Sequence, residues 1–405
     1  MKRRKGKKER EMLSYEDKPI EEYERDENKK NKKKPLNGRA KVIVVIIAAL
    51  VVIVGGVSIW NYIGPNALQG SLASSKANGK GFPVKIQGKT ISEGDANIVN
   101  NNLAYTSDIE FQIINSGGGI VVDQRVKYAS PAMTVNGDYA IIYDKSGNQF
   151  QISNGSGIIY EGSVEDTIYT ATINKNGDYA ILSKKSGYTS KLTVFNKNNE
   201  QHYAYYFSEC YTTGVSINSS LTQAVVCGLD ASKGSIVSKI YVLDFTKEEP
   251  VAKLNFKDVT VYDARFMSNG NIAVIGDTTA MVITSDYKNK YDFTYNGYNL
   301  RSRKITDNGI FLSLSPFEDG KSCEIWSISE RGITTITKTD MSVDSMDICG
   351  DNAAVLSNNK ITLFDTSTQT TLKDYDAGLD AQSIVYANNN TVYVIGITEI
   401  RKVEL

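Results

Sequence analysis

The sequence predicts an all-β fold, an eight-bladed β-propeller, preceded by one transmembrane helix. Three observations carry that expectation. The stretch "NGDYAII" at 136–142 returns as "NGDYAIL" at 176–182. A turn pair followed by a short apolar strand recurs eight times at similar spacing. An uncharged apolar run follows a strongly basic head.

The head is residues 1–41. It carries sixteen Lys/Arg against nine Asp/Glu, although the 405-residue chain has a formal net charge of zero. So few apolar residues cannot offset the entropy of ordering, which predicts a disordered segment. The lysine run at 29–34 has the composition of a nucleic-acid patch. Beside an apolar run it reads instead as a topology determinant that attracts anionic lipid, so no nucleic-acid partner is expected.

Residues 42–63, "VIVVIIAALVVIVGGVSIWNYI", form the span. No charge interrupts 42–59, and about twenty apolar residues cross a bilayer core. A cleaved secretory signal has an apolar region of only about 7–15 residues. Trp60 and Tyr62 fall where an interfacial belt would lie. Seven Lys/Arg stand in 29–41, whereas none occurs between the span and Lys76. Positive flanks stay cytoplasmic. The expected topology is N-in and single-pass in the cell membrane, with the remaining residues outside the cytoplasm.

Residues 64–81 are a linker rich in Gly, Ser, Ala and Asn. From 82 to 405 short runs of Ile, Val, Thr, Tyr and Phe alternate with polar residues between Asn, Gly, Asp and Ser, the signature of strands and turns. The eight markers begin at Asn101, Asn136, Asn176, Ser219, Asn269, Asn308, Gly350 and Asn389. Their spacings run from 35 to 50 and average about 41, against the ~40–45 residues of a four-stranded blade. Each marker is assigned to the hairpin between strands A and B, with Asn-Gly supplying the left-handed backbone of a two-residue turn. Ala140, Ala180, Ala224, Ala273 and Ala354 recur just inside strand B, where a small side chain lets blades approach near the axis. The final copy has strands A, B and C, and "FPVKIQG" at 82–88 is the unassigned strand that would close the ring. Seven blades is the alternative count.

The turns "TVNGDYAII", "INKNGDYAIL", "FMSNGNIAVI" and "ITDNGIFLSL" resemble those of WD40-like and "S-P-D-G"-type propellers. The layout of basic head, span and Tyr-rich propeller resembles a clostridial, Gram-positive family of membrane-anchored propellers of unknown function. That resemblance implies a fold and no catalytic residue. The Trp-Asp and Gly-His dipeptides of WD40 blades are absent.

Chemistry is sparse. His202 is the only histidine, and a Ser-His-Asp or Cys-His system needs a base and an orienting partner. No Cys/His spacing suggests zinc, and no D-x-D-x-D-G loop suggests calcium. A quinone cofactor would need a Trp in each blade, and the propeller has Trp326 alone. No cofactor is expected. Cys210 and Cys227 flank strands A and B of blade four on one rim, so a disulfide is open to them, with two buried thiols as the alternative. Cys323 and Cys349 fall on opposite rims.

The remaining constellation is a candidate binding face on the connectors from strand D to the next strand A. It comprises Glu165, Asp166, Glu209, Asp258, Asp340, Asp344, Asp376 and Asp380, with Tyr298 beside them. Such a rim would concentrate cations or a basic peptide, and solvated polar loops are the alternative. A second candidate is the aromatic segment holding Tyr287, Tyr291, Phe293, Tyr295 and Tyr298. The function expected is a non-enzymatic binding platform for a protein, peptide or envelope glycan. The alternative is an exported carboxylate-dependent enzyme acting on cell-wall or polysaccharide substrates.

Overall fold

The computed structural model describes residues 81–88, 91–231 and 234–405. The expected head and span lie outside these residues, and no helix among the described residues is long and apolar enough to cross a membrane.

Alternation of apolar and polar residues with frequent turn signals yields thirty-two strands in eight four-stranded antiparallel sheets. Seven blades are contiguous, at 96–125, 131–163, 168–207, 211–257, 261–294, 299–339 and 345–376. In each, strands A to D follow one another from axis to rim. Blade eight takes strands A, B and C from 381–404 and its outer strand from Val84–Lys85. Val84 pairs with Ile400 and Lys85 with Glu399. The count is therefore eight, and the segment at 82–88 closes the ring as expected.

All eight markers fall at A–B hairpins, but the hairpins are not alike. Asn100 and Asn101 both adopt left-handed φ, at 47° and 60°, which defines a two-residue type I′ turn. In blade two Asn136 pairs with Tyr139 across Gly137 and Asp138. In blade three the same letters make a longer turn, because Ile173 pairs with Tyr179. Asn174 causes the change: its Oδ1 accepts the N–H groups of Asn176 and Asp178, at 2.9 and 3.0 Å. Thr134 holds the equivalent place in blade two and donates instead to the Ala171 carbonyl of blade three. The two aspartates diverge accordingly. Asp138 is exposed, whereas Asp178 is buried and accepts from Asn174 Nδ2 and the Lys197 N–H.

The core is divided into eight apolar clusters, one at each junction between neighbouring blades, from one/two round to eight/one. The five recurrent alanines are fully buried within them, as a crowded inner ring requires. Each blade thus presents a different apolar face to each of its two neighbours.

Ring closure is reinforced by a polar network. Buried Glu110 in blade one accepts the Gln87 N–H at 3.1 Å and the Tyr105 hydroxyl at 2.6 Å. Ser107 Oγ donates to the Gln87 carbonyl, and the Ile86 N–H reaches the Thr398 carbonyl. The closing segment is therefore tied to blades one and eight together.

The cysteines resolve against the disulfide. Cys210 and Cys227 are both free and buried. Cys227 lies in mid-strand, opposite Gly214, and packs in the junction between blades four and five. Cys210 packs in the junction between blades three and four, its Sγ beside Gly228. The sheet of blade four stands between the two sulfurs. Cys227 is thus not at the rim beside Cys210, and the two side chains leave opposite faces of the sheet.

Candidate binding site: the axial channel and its two mouths

The innermost strands of the eight blades surround an axis, and their connections divide between two mouths. The D–A connectors and B–C turns occupy one mouth. The A–B and C–D turns occupy the other.

The D–A mouth holds the acidic residues singled out from the sequence, and most are engaged internally. Glu165 and Asp166 both face Lys185, at 2.8 and 3.8 Å, and that lysine holds the Glu165 carboxyl below its ordinary range. Glu209 accepts the Tyr241 hydroxyl at 3.1 Å and lies within 4.0 Å of Lys239 and Lys253. Asp344 caps the Asn358 N–H at 2.9 Å. Asp376 accepts the Gly378 N–H within its own turn. Asp380 pairs with Arg401 and accepts the Ile397 N–H, and the guanidinium lowers its pKa. Asp258 and Asp340 are exposed with no side-chain partner among the described residues. Tyr298 is half-buried against the core between blades five and six. These carboxylates serve mainly to pin each connector to the sheets beside it. The aromatic segment is likewise packed inward, with Tyr295 fully buried and Tyr291 its one clearly exposed tyrosine.

The A–B mouth opens into a cavity of ≈ 530 Å³, within the ~300–1,000 Å³ of small-molecule sites. Its wall runs from blade one to blade six and consists mainly of the last residues of strands A with their turns, joined by Gln223 at the start of strand B in blade four and by the C–D turn of blade five. Thr172, Ser216, Gln223, Arg265 and Lys304 are among them. Two of its three cations, Arg265 and Lys304, have carboxylate partners, whereas exposed Lys175 has no ion-pair partner among the described residues. Arg265 Nε bonds Asp263 at 2.9 Å. Lys304 meets buried Asp347 at 2.8 Å. Asp347 also accepts the N–H groups of Ile348 and Tyr386, each at 2.9 Å, so one carboxylate joins blades six, seven and eight.

Tyr287 closes part of the wall from the C–D turn of blade five. Its hydroxyl donates to Gln223 Oε1 of blade four at 2.8 Å, and its φ of 61° is left-handed, an uncommon region for a bulky residue. Among the described residues no group of three or more His, Cys, Asp or Glu is arranged to hold a metal ion. The sequence carried a faint signal for this mouth: Asp263, Arg265, Lys304 and Asp347 place charge on innermost strands.

Eight radial sheets around an axis define the class: a β-propeller with WD40-like structural neighbours. The C-terminal WD40 domain of Sif2 is similar at a TM-score of 0.57 and 14% identity, over 80% of this chain and 97% of that one. Saccharomyces cerevisiae Sqt1 is similar at a TM-score of 0.57 and 11% identity, over 81% and 100%. At such identities the likeness establishes the fold alone. The chain itself belongs to a family of unknown function, DUF5711, whose profile matches residues 84–405. No curated protein matches it by sequence.

Proposed function

We propose that this chain is a membrane-anchored binding platform of a Gram-positive-type envelope. Its propeller stands outside the cytoplasm and holds an envelope protein, peptide or glycan at the axial cavity. The observation that carries this reading is a polar cavity at the A–B mouth where Arg265 and Lys304 are paired and the remaining charged side chains, Lys175 and Asp307, are opposite in sign. The anchoring half rests on the apolar run at 42–63 and the lysine and arginine excess before it. The acidic D–A rim is the weaker recognition surface, because six of its eight carboxylates already have partners.

Two measurements on the full chain test it. Leu379 is 93% exposed, so a Leu379→Cys variant in intact cells should label with a membrane-impermeant maleimide. Labelling only after lysis would overturn the topology. Photo-crosslinking from intact cells should capture a defined envelope component, and Ser216→Trp, which puts an indole into the cavity, should abolish capture. Undiminished capture by a folded Ser216→Trp protein would remove the cavity from the reading.

A further inference from the structure

The axial cavity also carries information about what fills it. We infer that it is a subsite for a neutral, hydroxyl-rich ligand, a short saccharide segment, with Tyr287 as a wall of the site. The inference rests on the binding reading above and names the ligand class of that same cavity.

Three features lead there. The first is charge. Arg265 and Lys304 would favour an anion if free, but Asp263 and Asp347 lie within 2.9 and 2.8 Å of them. The other two charged lining residues, exposed Lys175 and Asp307, are opposite in sign. Taken with its paired carboxylates the wall carries no net charge, so it offers no electrostatic preference for an anion or a cation.

The second is the type of polar group. Thr172, Ser216 and Gln223 offer hydroxyls and an amide, which both donate and accept. They suit a ligand whose own groups do both, as sugar hydroxyls do. Apolar Ile173, Ile217 and Phe266 interrupt that polar lining. A pyranose presents the same mixture, with C–H faces between hydroxyl edges. Most small-molecule cavities are predominantly apolar, so this polar lining itself indicates a strongly hydrated ligand.

The third is Tyr287. Unusual backbone conformations persist where the surrounding structure holds them and tend to occur at ligand sites. Here a bulky residue is left-handed in a turn closed by its own N–H on the Thr284 carbonyl, its hydroxyl is tied across a blade junction, and its side chain lies in the cavity wall. A fixed aromatic ring with its polar tip satisfied gives one rigid stacking surface at low entropic cost.

The test uses the full-length protein in detergent micelles and isothermal titration calorimetry. The probes are neutral hexasaccharides of β-1,4-glucose, α-1,4-glucose and β-1,4-N-acetylglucosamine, with polygalacturonate and a mixed-sequence decapeptide pool for comparison. At least one neutral hexasaccharide should bind with a Kd in the millimolar range or tighter. Raising salt from about 50 to 500 mM should change that Kd less than about twofold, because no net charge is matched.

Tyr287→Ala and Ser216→Trp should each weaken binding about tenfold or more. Tyr206→Ala, on the outer strand of blade three, should leave it unchanged. Near-UV circular dichroism checks the fold, and Thr172→Ala serves if Ser216→Trp does not fold. The inference is overturned if no neutral hexasaccharide binds, if only polygalacturonate or the peptide pool binds, or if folded cavity variants bind like the wild type. Capture of an envelope component without saccharide binding would remove this inference alone. Saccharide binding without any captured component would instead remove the cellular reading.

Discussion

Lys304 on the innermost strand of blade six meets Asp347 on that of blade seven at 2.8 Å, with the aspartate buried and the lysine about one-third exposed. The pair sits where apolar contacts between neighbouring A strands would ordinarily suffice. Asp347 has a second task, since it accepts the N–H of Tyr386 from blade eight. Removing it strands an ammonium and two backbone donors. Asp347→Ala should therefore lower stability by about 2–4 kcal/mol, and Lys304→Met by less. Urea unfolding followed by the fluorescence of Trp326 measures both, and equal costs for the two variants would contradict the bridging role.

Asp95 offers a pH handle. It accepts the Met133 N–H at 3.2 Å between blades one and two, and burial pushes its pKa up from 3.8 to about 6. The folded state then binds this proton more tightly than the unfolded state, so stability falls as pH rises from about 4 to about 6. Asp95→Asn keeps an acceptor for Met133 and removes the charge. It should raise the Tm at pH 7.5, with a gain of up to about 3 kcal/mol, and the gain should vanish below pH 4. A gain independent of pH would point to a cause other than ionisation.

The duplicated motif makes a paired prediction. Asp178→Ala removes the acceptor for Asn174 and Lys197 and should cost about 1.5–3 kcal/mol. Asp138→Ala, at the matching letter of the other copy, changes an exposed turn and should stay within about 0.5 kcal/mol. Chemical denaturation of the two variants side by side decides it.

The thiols should be inert in the native state. Burial raises the pKa of Cys210 and, more strongly, of Cys227, which removes the reactive thiolate. Iodoacetamide at pH 8 should leave Cys210, Cys227 and Cys323 unmodified, should reach half-buried Cys349 slowly, and should modify all four in guanidinium without reductant. A pair that resists alkylation in guanidinium until reduced would establish a disulfide.

Much of the architecture was legible because turns and small residues are local. An asparagine pair favours a turn, although in blade one the turn is Asn100-Asn101, one residue before the expected Asn101-Asn102, and the five alanines report the crowding of the inner ring directly. The conformation of each turn was less legible. "NGDYAI" folds two ways because Asn174 and Thr134, two positions upstream, offer different hydrogen bonds. The partners of the acidic rim were hidden for a related reason. Glu165 and Asp380 look free in a loop, but Lys185 arrives from a B–C turn and Arg401 from a strand C. The cavity could not be read from any one segment, since six blades each contribute only a few residues to its wall.

The closing strand has a consequence for the order of assembly during synthesis. Val84–Lys85 leaves the ribosome before any blade, yet its partner strand Glu399–Glu404 follows all of them. Until that partner emerges, Gln87 and Glu110 can meet, but the outer edge of blade eight does not exist. The ring must therefore wait as an open arc, with the apolar faces that form the junction of blades eight and one exposed to other chains. Ribosome stalling or truncation within the last forty residues should thus favour clustering of nascent chains over simple loss of one blade.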